Sequence, residues 1–204
     1  MKLIKYLAIL FFDILDSYHQ KKILGFIKNK YKNINFMIDI GSHKGKYFDL
    51  FNKSYKIKNA VLVEPQKKYF YYLKKKYKNL YNIKIYNTAI SNKNGNSYFY
   101  VNHHDLTSSL NSINHNNSFL KIKSKIFGFE SKNMIKEKIK IKITTLNNLL
   151  RKFKIKKIDL IKIDTEGHEL EVLQGLKNTI KRVEIILIEF RNDNVYKNYK
   201  PSKI

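Results

Sequence analysis

Phe36-Met-Ile-Asp-Ile-Gly-Ser-His-Lys-Gly45 is the stretch on which the reading of this chain turns. Five mostly apolar residues, Phe36 to Ile40, read as a short strand. Two glycines four residues apart then make a loop, and a helix follows through about Tyr55. The same unit returns downstream. Ala60-Val-Leu-Val-Glu64 is a second strand, Gln66 to Lys78 a second helix, and Ile83 to Ala89 a third strand. The aromatic cluster Tyr69, Phe70 and Tyr72 with Leu73 in that helix is read as packing. Strands alternating with helices imply a parallel sheet covered on both faces. In such sheets ligands bind beyond the carboxyl ends of the strands.

Further along, the turn-rich Ser91-Asn-Lys-Asn-Gly-Asn96 precedes a strand at Ser97 to Val101, which suggests a hairpin-like return. Residues 102 to 135 are polar and aperiodic, the pattern of a mobile or ligand-covering loop. Lys138 to Thr145 alternates lysine and isoleucine as a half-exposed strand would. Asn147 is placed to cap a short helix to Phe153. Ile158 to Ile163 is a buried strand, Glu169 to Lys181 a helix and Val183 to Phe190 a last strand. No internal repeat is visible.

Upstream, Leu3, Leu7, Leu10, Ile14 and Tyr18 recur at helical spacing. Residues 1–32 are therefore expected to form an amphipathic helical segment and residues 33–204 the domain proper. Lys5 and Asp13 bracket an apolar run that is too short to span a bilayer and lacks a small-residue cleavage site. The helix is expected to pack on the domain, with a membrane surface as the alternative site, so the expected location is the cytoplasm or its membrane face.

The chain has 204 residues, a net charge of +25 and no cysteine. Thiolate nucleophiles, cysteine-ligated metals and disulfides are thereby excluded. Only three of its 41 basic residues are arginine (Arg151, Arg182, Arg191). Nucleic-acid readers favour arginine's bidentate fork. Dispersed lysine with abundant Asn, Ile, Tyr and Phe points instead to AT-biased codons and solvated charge.

Chemistry enters at the strand ends. Gly41 and Gly45 suit a tight turn and a close helix start. Their Gly-x-x-x-Gly spacing, with Ser42 and His43 between, fits neither Gly-x-Gly-x-x-Gly nor a Walker loop. Asp39 before the turn favours a cationic ligand over a pyrophosphate. Glu64, ending the second strand 19 residues after Gly45, can accept hydrogen bonds from both hydroxyls of a ribose. At the fourth strand end, Asp164 and Glu166 are two apart and share a face, with His168 beyond.

Asp39 to Gly45, Val63-Glu-Pro65, Asn87-Thr-Ala-Ile-Ser91, Ser108-Ser109-Leu110 and above all Lys162-Ile-Asp-Thr-Glu-Gly-His-Glu-Leu-Glu-Val-Leu-Gln-Gly175 resemble the FkbM family of S-adenosylmethionine-dependent methyltransferases. The resemblance covers about residues 36 to 190. It implies a Rossmann-like class I methyltransferase fold and S-adenosylmethionine as cofactor. Asp39 and Gly41 would lie near the cofactor's amino-acid end, Glu64 on its ribose, and Thr88 and Ala89 near its adenine, with His43 and Gly45 also among the cofactor-binding residues. Two departures stand out. Asn147 replaces the aspartate of the usual Thr-Leu-Asp, and no convincing sixth and seventh strands follow Phe190. That edge is therefore expected to be truncated or finished differently.

Methyl transfer to a hydroxyl needs alignment and a proton acceptor. Asp164, lying near the cofactor as well, is the first candidate, followed by Glu166 and His168; the last two can alternatively satisfy a helix start. A pair of carboxylates can also bind a divalent metal, but two ligands identify none. Glu189 can line an acceptor pocket. His103 and His104 open the polar loop and read as an exposed pair. The expected activity is O-methylation of a sugar, glycan or small natural-product hydroxyl. The alternatives are an RNA ribose methyltransferase and an inactive cofactor-binding partner subunit. C5 transfer to a base is excluded for want of a cysteine, and Asp164-Thr-Glu-Gly167 stands where an amino-methylating Pro-Pro-aromatic loop would be.

Overall fold

The computed structural model describes residues 18–103, 107–126, 133–151, 153, 155–190, 194–197 and 199. Leu3, Leu7, Leu10, Ile14 and His104 lie outside them.

Short runs of branched apolar residues build the centre. β1 (Phe36–Ile40) lies between β2 (Asn59–Val63) and β7 (Ile158–Ile163), with β3 (Ile83–Tyr86) beyond β2 and β8 (Val183–Ile188) beyond β7. The order is β3-β2-β1-β7-β8, parallel throughout. Side chains alternate across the sheet, so its two faces bury different sets. Met37, Ala60, Leu62 and Leu160 pack under helices α1 (residues 18–30), α2 (Lys46–Tyr55) and α3 (Lys67–Lys76), which contribute Leu24, Ile27, Phe48, Phe51 and Leu73. Ile38, Ile40, Val61, Val63, Ile161 and Ile163 pack on the other side. There they meet α5 (Leu146–Leu150) and α6 (Glu169–Gln174) through Leu146, Leu150 and Val172. This is the doubly covered α/β architecture expected of a Rossmann-like methyltransferase.

Local readings needed correction at four places. The third strand is two strands. β3 ends at Tyr86, and β4 (Ala89–Ile90) leaves for a second sheet of order β4-β6-β5. β5 (Gly95–Asn102) does not return on its predecessor as a hairpin. It pairs antiparallel with β6 (Ile135–Thr144), on the opposite side from β4. The turn before it is tied to the end of β6, since Asn94 Oδ1 accepts from Thr145 N and Thr144 Oγ1 at 3.0 and 2.9 Å. Second, the cap of α5 is Thr145, whose hydroxyl accepts from Asn148 N at 3.1 Å. Asn147 Oδ1 instead accepts from Thr179 Oγ1 at 3.0 Å. Third, the helix starting at Glu169 stops at Gln174, where Gly175 packs so closely on the Ser91 carbonyl that no Cβ fits, and a 3-10 turn (Lys177–Arg182) follows.

Fourth, the described residues of the polar stretch 102 to 135 carry regular structure. They include α4 (Ser118–Ile126), and Ser109 and Ile113 form bridges to Tyr100 and Tyr196. Val195, Tyr196 and Tyr199 bury a third small core with Ile113, Leu120 and Met134. After β8 the described chain therefore forms no further strand pair. Residues 194–197 and 199 lie against this small core as a strap.

Candidate active site

The carboxyl ends of β1, β2 and β7 open on a pocket. Of the residues expected from sequence, Gly41, His43, Glu64, Thr88, Ala89, Asp164, Glu166 and His168 all line it. Asp39 and Gly45 are not among its lining residues.

The glycine turn is wedged between two strand ends. Gly41 N and Ser42 N both donate to Val63 O, at 3.0 and 3.1 Å. Gly41 has φ +79°, and a side chain there would overlap the Asp164 carbonyl. Gly45 lies instead against α3, where the Tyr77 hydroxyl donates to its carbonyl at 3.2 Å. Glu64 is 3% exposed, and its carboxylate points back at the turn. Oε2 accepts from His43 N and Oε1 from Gln66 N, both at 2.8 Å. Burial outweighs these two donors and raises its pKa to about 7. Thr88 Oγ1 is tied to the Lys142 carbonyl at 2.9 Å, which hinges the pocket wall on the second sheet.

Beneath the turn lies a buried charge cluster. Asp39 and Lys162 are register partners on β1 and β7, 1% and 4% exposed. Lys162 Nζ is 3.4 Å from Asp39 Oδ1 and 3.0 Å from Asp164 Oδ2, and it donates to Gly41 O at 3.1 Å. Burial works against the ammonium, but Asp164 and Asp39 outweigh it and keep it protonated. Burial raises the Asp39 pKa while Lys162 opposes the shift. Asp39 thus faces the amine from below, and the surface it presents to a ligand is the backbone turn above it.

On the opposite wall, Glu166 and Gly167 have φ +55° and +93°, a strained reversal held by Glu169. Glu169 Oε1 accepts from Thr165 N, Thr165 Oγ1 and Gly167 N at 3.0 to 3.1 Å. Asp164, Glu166 and Glu189 bring one carboxylate oxygen each to within 4.8 Å of one another. The neighbouring charge of Asp164 first, with Glu166 adding to it, pushes the Glu189 pKa upward. Such a trio can also hold a cation, although Lys162 already supplies a positive charge to Asp164. Tyr196, on the strap, reaches Glu166 Oε2 at 2.8 Å and the Thr107 carbonyl at 2.9 Å, one hydroxyl proton serving two acceptors.

His168 is 9% exposed, and its environment is closed. Asn111 Nδ2 donates to Gly167 O, which turns Asn111 Oδ1 toward His168 Nδ1 at 3.3 Å. The proton is thereby assigned to Nδ1, and Nε2 accepts from Ser91 Oγ at 3.0 Å. Burial lowers its pKa to about 4. The ring bridges the α6 start, the β4 end and the 109–113 segment as a neutral imidazole.

A family model for the methyltransferase FkbM domain matches residues 39–201. The chain belongs to the FkbM methyltransferase family. The match includes the strap that carries Tyr196 as well as the motifs of the strand ends. Membership implies S-adenosylmethionine as the methyl donor. A stretch of 49 residues is 37% identical to the hexuronic acid methyltransferase AglP of Haloferax volcanii, covering 24% of this chain and 20% of that protein. The chain thus aligns with about a fifth of the curated relative it matches.

The residues present fit such a nucleoside. A buried acceptor carboxylate and a turn that begins at a glycine with no room for a side chain line one pocket. Sequence reasoning passed over Lys162, Glu169 and Tyr196. Lys162 did carry a signal, because a lysine between isoleucines in a strand buried on both faces demands a charged partner. Glu169 and Tyr196 carried none, since nothing in the sequence shows what they touch.

Proposed function

We propose that this chain transfers a methyl group from S-adenosylmethionine to a hydroxyl of a sugar or glycan. The observation that carries the reading is the Glu64 carboxylate, buried at the end of β2, hydrogen-bonded to the glycine turn and lining the same pocket as that turn. Glu64 would take the ribose hydroxyls. The turn from Gly41 through His43 would take the amino-acid end, with Asp39 and Lys162 fixing that turn from below. Thr88 and Ala89 would lie against the adenine. The sulfonium supplies an activated methyl group, so the chain's own task is alignment and removal of one proton.

Asp164 and Glu166 serve that second task on this reading. They line the pocket, and each offers a carboxylate oxygen to the acceptor's proton. His168 positions the wall and does not act as base, because both ring nitrogens are engaged. The sugar acceptor is suggested by the relative's hexuronic acid; a lysine-rich surface suits an acidic sugar in particular. No divalent metal is assigned to the reaction.

Incubating the protein with methyl-labelled S-adenosylmethionine and a panel of glucuronic acid, galacturonic acid, neutral hexose glycans and RNA tests the proposal. Label on a sugar hydroxyl is expected. Label on RNA ribose would replace the acceptor class. Binding of S-adenosylhomocysteine with no transfer to any acceptor would favour a partner subunit, and no binding would remove the enzyme reading.

A further inference from the structure

We propose that the outer face of α1 is a docking surface for an anionic phospholipid bilayer. This rests on the helix alone and is independent of the methyl-transfer reading.

Leu24 and Ile27 fix which side of α1 faces the protein, at 8% and 4% exposure. Tyr18, Lys22, Phe26 and Lys30 follow one another at four-residue spacing and therefore form one stripe along the opposite side. Tyr18 is 54% exposed and Phe26 is 62% exposed. Lys22 Nζ lies 4.6 Å from the Tyr18 ring centre and Lys30 Nζ 4.7 Å from that of Phe26. Lys21 and Lys28 flank the stripe, also exposed. The sequence holds no acidic residue between Asp16 and Asp39.

An alternation of aromatic rings and lysines matches the headgroup layer of a membrane. Aromatic rings settle at its depth, and lysine stems reach back to the phosphates. Among the described residues no helix is long and apolar enough to cross a membrane.

The test is co-sedimentation of the full chain with vesicles of pure phosphatidylcholine or with about one-third phosphatidylglycerol. Binding to the anionic vesicles is expected, weakened by salt as charge screening grows. A Lys22→Glu/Phe26→Ser/Lys30→Glu variant should lower that binding at least about tenfold, with affinity for S-adenosylhomocysteine and Tm unchanged. Phe26→Ser alone provides the same comparison should the triple variant fold poorly. Wild-type protein that stays in solution with both vesicle types would overturn the proposal. So would variants that sediment as well as wild type, or variants that lose affinity for an RNA probe while keeping vesicle binding.

Discussion

Replacing Glu64 by glutamine separates a ligand-binding carboxylate from one that merely completes the fold. The side chain is 3% exposed and accepts one backbone N–H on each oxygen, from His43 and Gln66 at 2.8 Å. Glutamine keeps the shape but offers one oxygen, so one N–H then faces an amide NH₂. That loss costs about 1–3 kcal/mol. An opposing contribution exists. Folding raises the Glu64 pKa from 4.5 to about 7, so ionisation works against the folded state. Its contribution is intact below pH 4.5 and lost as pH rises through about 7. At pH 8 the charge costs about 3 kcal/mol that a neutral glutamine avoids. The two effects nearly offset, and Glu64→Gln should leave the Tm of the ligand-free protein close to wild type. Ligand binding has no such compensation. Loss of an acceptor for ribose hydroxyls should weaken S-adenosylhomocysteine by about 1–3 kcal/mol, or about 5- to 150-fold. Calorimetry at pH 8 reads the affinity, and scanning fluorimetry reads the Tm. A second signature is pH. Wild-type affinity should rise between pH 6 and 8 as Glu64 ionises, and the variant should show no such rise. Unchanged affinity, or a Tm that falls in step with it, would refute the reasoning.

Lys162→Met should destabilise the fold by about 3–5 kcal/mol, because Asp39 and Asp164 are left without their buried cation; urea denaturation measures this. Asp164→Asn should slow methyl transfer by about 10²- to 10⁴-fold if Asp164 takes the acceptor proton, with S-adenosylhomocysteine affinity nearly kept; transfer of label from the donor reports it. Tyr196→Phe removes a hydroxyl from Glu166 and Thr107 and keeps the ring packed on Gly167. It should cost about 1 kcal/mol of stability, and the pH profile of transfer should shift while donor affinity stays constant. Dialysis against EDTA should leave transfer unchanged, since Lys162 already balances Asp164; loss of activity restored by Mg²⁺ would assign the carboxylate trio a cation.

The parallel core was legible because its strands are buried on both faces and read as unbroken apolar runs between helical patterns. The same unbroken pattern hid the split between Tyr86 and Ala89. Periodicity does not report that β4 has changed sheets, and its partner Ile143 lies more than fifty residues away in sequence. Polar compositions misled in the other direction. Val195, Tyr196 and Tyr199 sit in a lysine- and asparagine-rich tail without period, yet each is buried against Ile113, Leu120 and Met134. At the site, residues presented by strand ends were visible from spacing, as with Glu64 and Asp164. Residues that act through a neighbour were not. Glu169 holds the Asp164–Gly167 reversal and Asn111 sets the His168 tautomer, and both depend on contacts made only after folding.

A crystal structure of the complex with S-adenosylhomocysteine would show where the nucleoside sits. Both ribose hydroxyls are expected within hydrogen-bonding distance of the Glu64 carboxylate, with the amino-acid end on the turn from Gly41 to His43. A nucleoside bound elsewhere, or Glu64 turned from the sugar, would contradict this placement.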